Sequence, residues 1–152
     1  MHLTILVGTV HGNATSVAQT LLLSAPDHHL NMDLLPMDDL DISVFDRPGS
    51  FLVCTSTTGS GDVPDNALAL YHALDAQAKY LGHVRYGLIA LGDSSYGDTF
   101  YGGGKRFDER LQDLGAQRVG DICVLDASSG DDAAETATTW FADWVSLLTQ
   151  DS

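Results

Sequence analysis

Basic residues are scarce in this chain: Lys and Arg number 7 against 21 Asp and Glu, a formal net charge of −14. A field of that sign repels nucleic acid and anionic membrane surfaces, and it favours a basic protein partner unless it serves solubility alone. Proline is limited to four residues, and the two cysteines, Cys54 and Cys123, stand far apart, each in an apolar run. They form no CxxC or zinc pattern, so two buried, reduced thiols in a cytoplasmic protein are expected. No apolar run approaches the roughly 20 residues that cross a bilayer, and Met1-His2 leads into an apolar segment without a basic flank. A soluble, unexported chain with no nucleic-acid or membrane partner is the expectation.

At 152 residues and 44% apolar content, the chain suits one domain over 1–152. Leu3 to Val7 is a continuous apolar, β-branched run ending at Gly8, the pattern of a strand buried on both faces. Ala14, Val17, Ala18, Leu21 and Leu22 then recur at helical spacing. Leu30–Leu35, Phe51–Thr55, Tyr86–Leu91 and Val119–Leu125 read as four further strands. Between them, a helix starts near Asp65 and carries Leu70, Tyr71 and Leu74. Another follows a Gly-rich loop, carries Phe107, Leu111 and Leu114 on one face and stops at Gly115. A closing helix carries Ala137, Trp140, Phe141, Trp144, Val145 and Leu148, and Pro36 to Ser50 reads as a loop with at most a short helix. This alternation predicts an α/β domain with a parallel sheet covered on both faces, and chemistry in the loops after strands one, three and four.

The first loop, Gly8-Thr9-Val10-His11-Gly12-Asn13-Ala14-Thr15, joins a strand to a helix N-terminus, where free amides and the helix dipole favour an anion. It has no lysine, which disfavours a nucleotide triphosphatase, and Gly8 with Gly12 do not make GxGxxG, although Asp33 falls where a ribose-binding acid is found in dinucleotide folds. A plain tight turn is the alternative. The second loop, Ser56-Thr57-Thr58-Gly59-Ser60-Gly61-Asp62, offers hydroxyls and glycine-freed peptides to a polar ring edge, unless it only caps the next helix through Asp62 or Asp65. The third, Leu91-Gly92-Asp93-Ser94-Ser95-Tyr96-Gly97-Asp98-Thr99-Phe100-Tyr101, places aromatics and an acid on surface backbone, which suggests a planar ligand.

The TxxGN turn at Thr9–Asn13, the STxG segment at Ser56–Gly59, the GDSSY segment at Gly92–Tyr96 and the LGA at Leu114–Ala116 together resemble flavodoxins over the whole chain. The GDSSY segment is the most specific of these. The lack of a long insertion in strand five is similar to the short-chain, MioC-like members and to the FMN domains of diflavin reductases. The resemblance implies a flavodoxin-like doubly wound, five-stranded parallel sheet in the order 2-1-3-4-5, and non-covalent FMN as cofactor. It also implies an electron carrier with no independent catalytic activity, serving basic-surfaced redox proteins such as an NADPH-dependent flavodoxin reductase and acceptor enzymes. Thr9, Val10, His11, Gly12, Asn13 and Ala14 would enclose the phosphate. Ser56, Thr57, Thr58, Gly59 and Ser60 would meet the inner face of the flavin, and Leu91, Gly92 and Asp93 its pyrimidine edge. Tyr96 would stack on the outer face, with Thr99, Phe100 and Tyr101 completing that wall. Family sites carry Thr where His11 and Ala14 stand, and an aromatic or His where Thr58 stands; losing one stacking partner is worth about 1 to 3 kcal/mol by analogy with base stacking. The implied reorientation of the peptide after Thr58 falls on Gly59-Ser60. The other readings are an NAD(P)H-dependent flavin or quinone reductase, a flavin-free interaction domain, and a phosphorelay receiver, whose acidic cluster, acceptor Asp and Lys have no counterparts here.

Overall fold

The computed structural model describes residues 2–9, 11–38, 40–58, 61–77, 79–97 and 100–150. Strand β1 (His2–Gly8) pairs in parallel with β2 (Asn31–Pro36) on one side and β3 (Ser50–Thr55) on the other, and β4 (Arg85–Gly92) follows β3. Beyond β4 lie two short strands, β5 (Gln117–Arg118) and β6 (Cys123–Asp126), both parallel to it. The lane order is therefore 2-1-3-4-5, the doubly wound arrangement that the family resemblance implies.

The expected single fifth strand is divided. Tyr86 faces Arg118 and Ile89 faces Cys123, so three steps along β4 are matched by five along the fifth lane. The extra residues leave the ladder at Gly120, whose φ of +74° suits glycine. The Trp144 indole N–H donates to the carbonyl of Val119 at the break, 3.0 Å away, and satisfies an oxygen the ladder has released.

Side chains alternate across the strands and build a core on each face. Leu3, Ile5, Leu52, Cys54 and Ile89 pack beneath α1 (Asn13–Leu23) and α4 (Ala133–Gln150). Leu6, Phe51, Val53, Tyr86 and Leu88 pack beneath α2 (Leu68–Ala76) and α3 (Gly102–Asp113). Both cysteines are buried and free, as expected; burial pushes the Cys54 thiol far up and the Cys123 thiol up to about 11. Among its described residues, the segment from Pro36 to Ser50 contains one short 3-10 turn, Ile42–Asp46. Another, Asp65–Ala67, leads into α2 and has no side-chain cap, so neither Asp62 nor Asp65 caps this helix.

Glycine sets both limits of α3. Helix α3 ends where expected: the amides of Gly115 (φ +98°) and Ala116 donate back to the carbonyls of Gln112 and Leu111, both at 3.0 Å. Its start differs, because Gly102, Gly103 and Gly104 are its first turn and not a loop. A Cβ on Gly104 would lie 2.6 Å from the Ala90 methyl, so the helix approaches the sheet at a distance only glycine allows. No helix among the described residues is long and apolar enough to cross a membrane.

Candidate functional site

All strands run the same way, so Gly8, Thr55, Gly92 and Asp126 end on one edge of the sheet. Gly8 is in register with Thr55, and Gly92 with Asp126. Helices α1 and α2 leave toward opposite faces at β1 and β3, which opens a crevice there. A cleft of about 830 Å³ occupies it, lined by the turns after β1, β3, β4 and β6.

Helix α1 begins at the cleft with Gly12 as N-cap in the left-handed region (φ +85°) and without a side-chain cap. A helix start without a capping side chain leaves first-turn amides available to an anion. Thr9 shapes the turn: its hydroxyl accepts from the Gly12 amide at 2.9 Å, and its own amide donates to Asn66 Oδ1 at 2.7 Å. The Asn66 amide group also donates to the Val7 carbonyl (3.4 Å) and to Asp38 (3.2 Å), so it ties the turn to the start of α2.

After β3, Thr58 and Asp62 exchange backbone hydrogen bonds, both 2.9 Å, and close the loop at its base. After β4, Asp93 accepts from the Ser95 amide (2.9 Å) and hydroxyl (2.6 Å) and caps a 3-10 turn over Ser94–Tyr96. The carbonyl of Phe100 lies where a Cβ on Gly92 would stand, so this loop folds back onto its own strand.

The structure brings Thr9, His11, Asn13, Ser56, Thr57, Thr58, Leu91, Gly92, Asp93 and Phe100 to the cleft wall, each a residue that the family resemblance assigns to the site. The Ala14 side chain is buried in the core beneath the turn, so only its backbone is placed for a ligand. Tyr101 is half-buried and set edge-on to Phe100 at 5.1 Å, away from the lining. Val10, Gly59, Ser60 and Thr99 lie outside the described residues. Tyr96 has its backbone in the turn, and its side chain lies outside the description. Asp33 is mid-strand in β2, where it pairs with His2 at 3.0 Å and Arg47 at 2.7 Å, remote from the lining.

Sequence reasoning missed the turn after β6. Asp126 Oδ1 accepts from the Ser94 amide (2.9 Å) and from the Ser128 amide (3.0 Å) and hydroxyl (2.9 Å). One carboxylate thus latches this turn to the one carrying Tyr96. Its hydrogen bonds, those from Ser94 foremost, hold the carboxyl well below the usual carboxylate range. The signal was available, because Asp-x-Ser beyond a fifth parallel strand must end on the same edge as the other three loops.

The lining contains Asp93, Asp126, Asp131 and Asp132 and no Lys or Arg among the described residues. Five of the seven basic residues are engaged elsewhere: Arg47 with Asp33, Lys79 with Asp46, Arg106 with Asp62, Arg110 with Asp75 and Arg118 with Asp108. The site is therefore a cleft with amide and hydroxyl donors at one end, a mixed apolar and polar wall at the other, and an acidic rim.

A doubly wound sheet with such a crevice defines the class of open α/β proteins that bind their ligands at the switch point, and comparison with known proteins narrows it. The family model described as Flavodoxin matches residues 5–141. Flavodoxin YqcA of Escherichia coli (strain K12) is 38% identical over 153 residues, covering 95% of this chain and 96% of that protein. Protein MioC of the same organism is 32% identical over 149 residues, covering 96% and 97%. A solved mutant of flavodoxin from Pseudomonas aeruginosa superposes with a TM-score of 0.87 at 39% identity, covering 98% and 99%. The chain belongs to the flavodoxin family. Its function is accordingly electron transfer, with FMN as the cofactor.

The residues present fit that group. An uncapped helix start suits a phosphate dianion without a lysine, as the first turn offers. The cleft volume of about 830 Å³ falls within the span of about 300 to 1,000 Å³ that small-molecule and cofactor sites occupy.

Proposed function

We propose that the chain is a self-contained electron carrier that holds FMN with its phosphate at the start of α1 and its ring between the loops after β3 and β4. Thr9, Val10, His11, Gly12, Asn13 and Ala14 enclose the phosphate. Thr9 and Asn13 present side-chain donors, and His11 replaces a hydroxyl with an imidazole at the cleft rim. Ser56, Thr57, Thr58, Gly59 and Ser60 take the inner side of the ring, and Leu91, Gly92, Asp93 and Tyr96 the pyrimidine edge and outer face, with Thr99, Phe100 and Tyr101 behind them. Bound FMN supplies the one-electron chemistry, while the chain binds, orients and partly shields it. No nucleophile or general acid is required of the protein.

The observation that carries this reading is the convergence of an uncapped helix start and the loops after β3 and β4 on one cleft that has no lysine or arginine among its described residues. The acidic rim favours partners with basic surfaces, which fits a reductase as donor and enzymes as acceptors in a soluble, cytoplasmic setting. Relatives named as the flavoprotein component of an NADPH sulfite reductase, 39% identical over 147 residues but with only 23% of their length covered, support redox proteins as the partner class.

The test is the visible spectrum of the purified protein before and after FMN is added, followed by reductive titration. Yellow protein with FMN retained on gel filtration is expected, bleached by dithionite and, in the presence of a flavodoxin reductase, by NADPH. A colourless protein that ignores added FMN overturns the reading. Bleaching by NADPH alone replaces the carrier with a reductase.

A further inference from the structure

We propose that Arg106, which is not among the residues lining the cleft, is a positioning residue for the flavin and acts by fixing the loop after β3 to the first turn of α3. The inference rests on the FMN site proposed above and concerns how firmly its inner wall is held.

The base of that loop is closed by the Thr58–Asp62 backbone pair, and the Gly61 amide adds a third bond to the Thr58 carbonyl at 3.3 Å. The two arms therefore move together. What holds them against the rest of the protein is α3. A Cβ on Gly103 would strike the Ser56 carbonyl, and one on Gly102 would lie 2.5 Å from the Gly61 carbonyl. The helix start and the loop thus sit in backbone-to-backbone contact. Thr57 Oγ1 accepts from the Gly103 amide at 3.0 Å and fastens the first arm. Arg106, one turn into the helix, fastens the second: its Nε donates to the Gly61 carbonyl at 2.8 Å, and Nη2 lies 3.4 Å from Asp62 Oδ1.

This bond set uses the planar fork of a guanidinium, with one nitrogen on the backbone and another toward the carboxylate. The ion pair itself is solvent-exposed, with half of the Arg106 side chain accessible, and such pairs add little to global stability. The carbonyl contact is the specific part. Because α3 also receives the chain directly from Phe100 and Tyr101, one rigid helix end sets the position of both walls of the cleft. The energy of adjusting the inner wall when the ring changes charge then depends on Arg106.

The separation between the two one-electron midpoint potentials of bound FMN reads that adjustment. In Arg106→Gln the equilibrium constant linking the two steps is expected to change about five-fold, the worth of one ordinary hydrogen bond. That is about 40 mV in the separation at roughly 59 mV per ten-fold. The thermal midpoint should stay within about 4 °C of the parent's, as for other exposed substitutions. Arg106→Lys, which keeps the charge and loses the fork, should not restore the separation, nor should Asp62→Asn added to Arg106→Gln, which restores the net charge. An unchanged separation in Arg106→Gln overturns the proposal. So does full rescue by either second variant, since charge alone would then be the cause, and so does a larger fall in the thermal midpoint, which makes Arg106 a general structural residue. A parent protein that takes up no FMN removes the site proposal first, so the two failures are distinguishable.

Discussion

At the scale of single residues, the loops are held by side chains that do not themselves need to face a ligand. Asn66 joins the Thr9 amide, the Val7 carbonyl and Asp38, so it sets the pose of the turn at the start of α1. Asn66→Ala removes the acceptor of a half-buried amide, a loss of about 1 to 3 kcal/mol. Because the damage falls on the phosphate end, FMN affinity should drop about ten-fold or more while riboflavin affinity, measured by the same fluorescence quenching, stays near the parent's. Equal losses for both ligands would place the phosphate elsewhere. Thr58 offers the complementary experiment. Its backbone pairing with Asp62 does not involve the side chain, so Thr58→Tyr leaves the loop base intact and supplies a ring to stack on the flavin. FMN should bind about ten-fold more tightly, and a titration showing no gain would mean that Thr58 does not face the ring.

Between elements, two contacts made by acidic side chains decide the geometry. Asp126 fastens the turn after β6 to the turn carrying Tyr96, and its carboxyl is held low by the bonds from Ser94 and Ser128. A depressed pKa makes the latch fully present above the ordinary Asp value of about 3.9 and lost only as pH falls through the lower folded value. FMN affinity should therefore show no titration from this group between pH 5 and 8, and Asp126→Ala should speed amide exchange at Ser94 and Ser128 at neutral pH. Unchanged exchange would show that the latch is idle. On the other face, buried Asp108 receives the Tyr86 hydroxyl at 2.5 Å and Arg118 Nη1 at 2.6 Å, which binds α3 to β4 and β5. Burial, and then the Asp108 carboxylate, push the Tyr86 hydroxyl far up, so it stays a donor. Arg118→Met leaves the carboxylate without its cation. With a quarter of the arginine side chain exposed, the expected loss is about 2 to 3 kcal/mol in urea unfolding, below the 3 to 5 kcal/mol of a fully buried pair. A loss under about 0.5 kcal/mol would show that water replaces the arginine.

For the molecule as a whole, the charge distribution matters more than the total. Five of the seven cations are drawn into pairs with aspartates outside the cleft lining, and among the described residues the lining holds four aspartates and no lysine or arginine. An acidic protein and a dianionic ligand repel at long range, and screening shortens that range from about 30 Å at 0.01 M salt to about 8 Å at 0.15 M. FMN association in stopped flow should accelerate across that interval, while uncharged riboflavin should associate at a constant rate. Slower FMN uptake with added salt would reveal a local positive field that the lining does not contain.

The amino-acid order alone determined the strand and helix alternation, the parallel sheet and the three loops that chemistry would use. Those features follow from local periodicity and from turn residues within a few positions of each other, as at Leu3–Gly8 or at Leu114–Ala116. The glycines 102–104 suggest a loop by local rules, but their reason is not local: they are helical and lack Cβ atoms because Ser56, Gly61 and Ala90 stand against them. The split of the fifth strand is of the same kind, being partnered across the core by Trp144. Asn66, Asp126 and Arg106 likewise acquire their roles from partners 57, 32 and 45 positions away. Only the folded chain brings such partners within hydrogen-bonding distance, so tertiary structure decided which residues hold the loops in place.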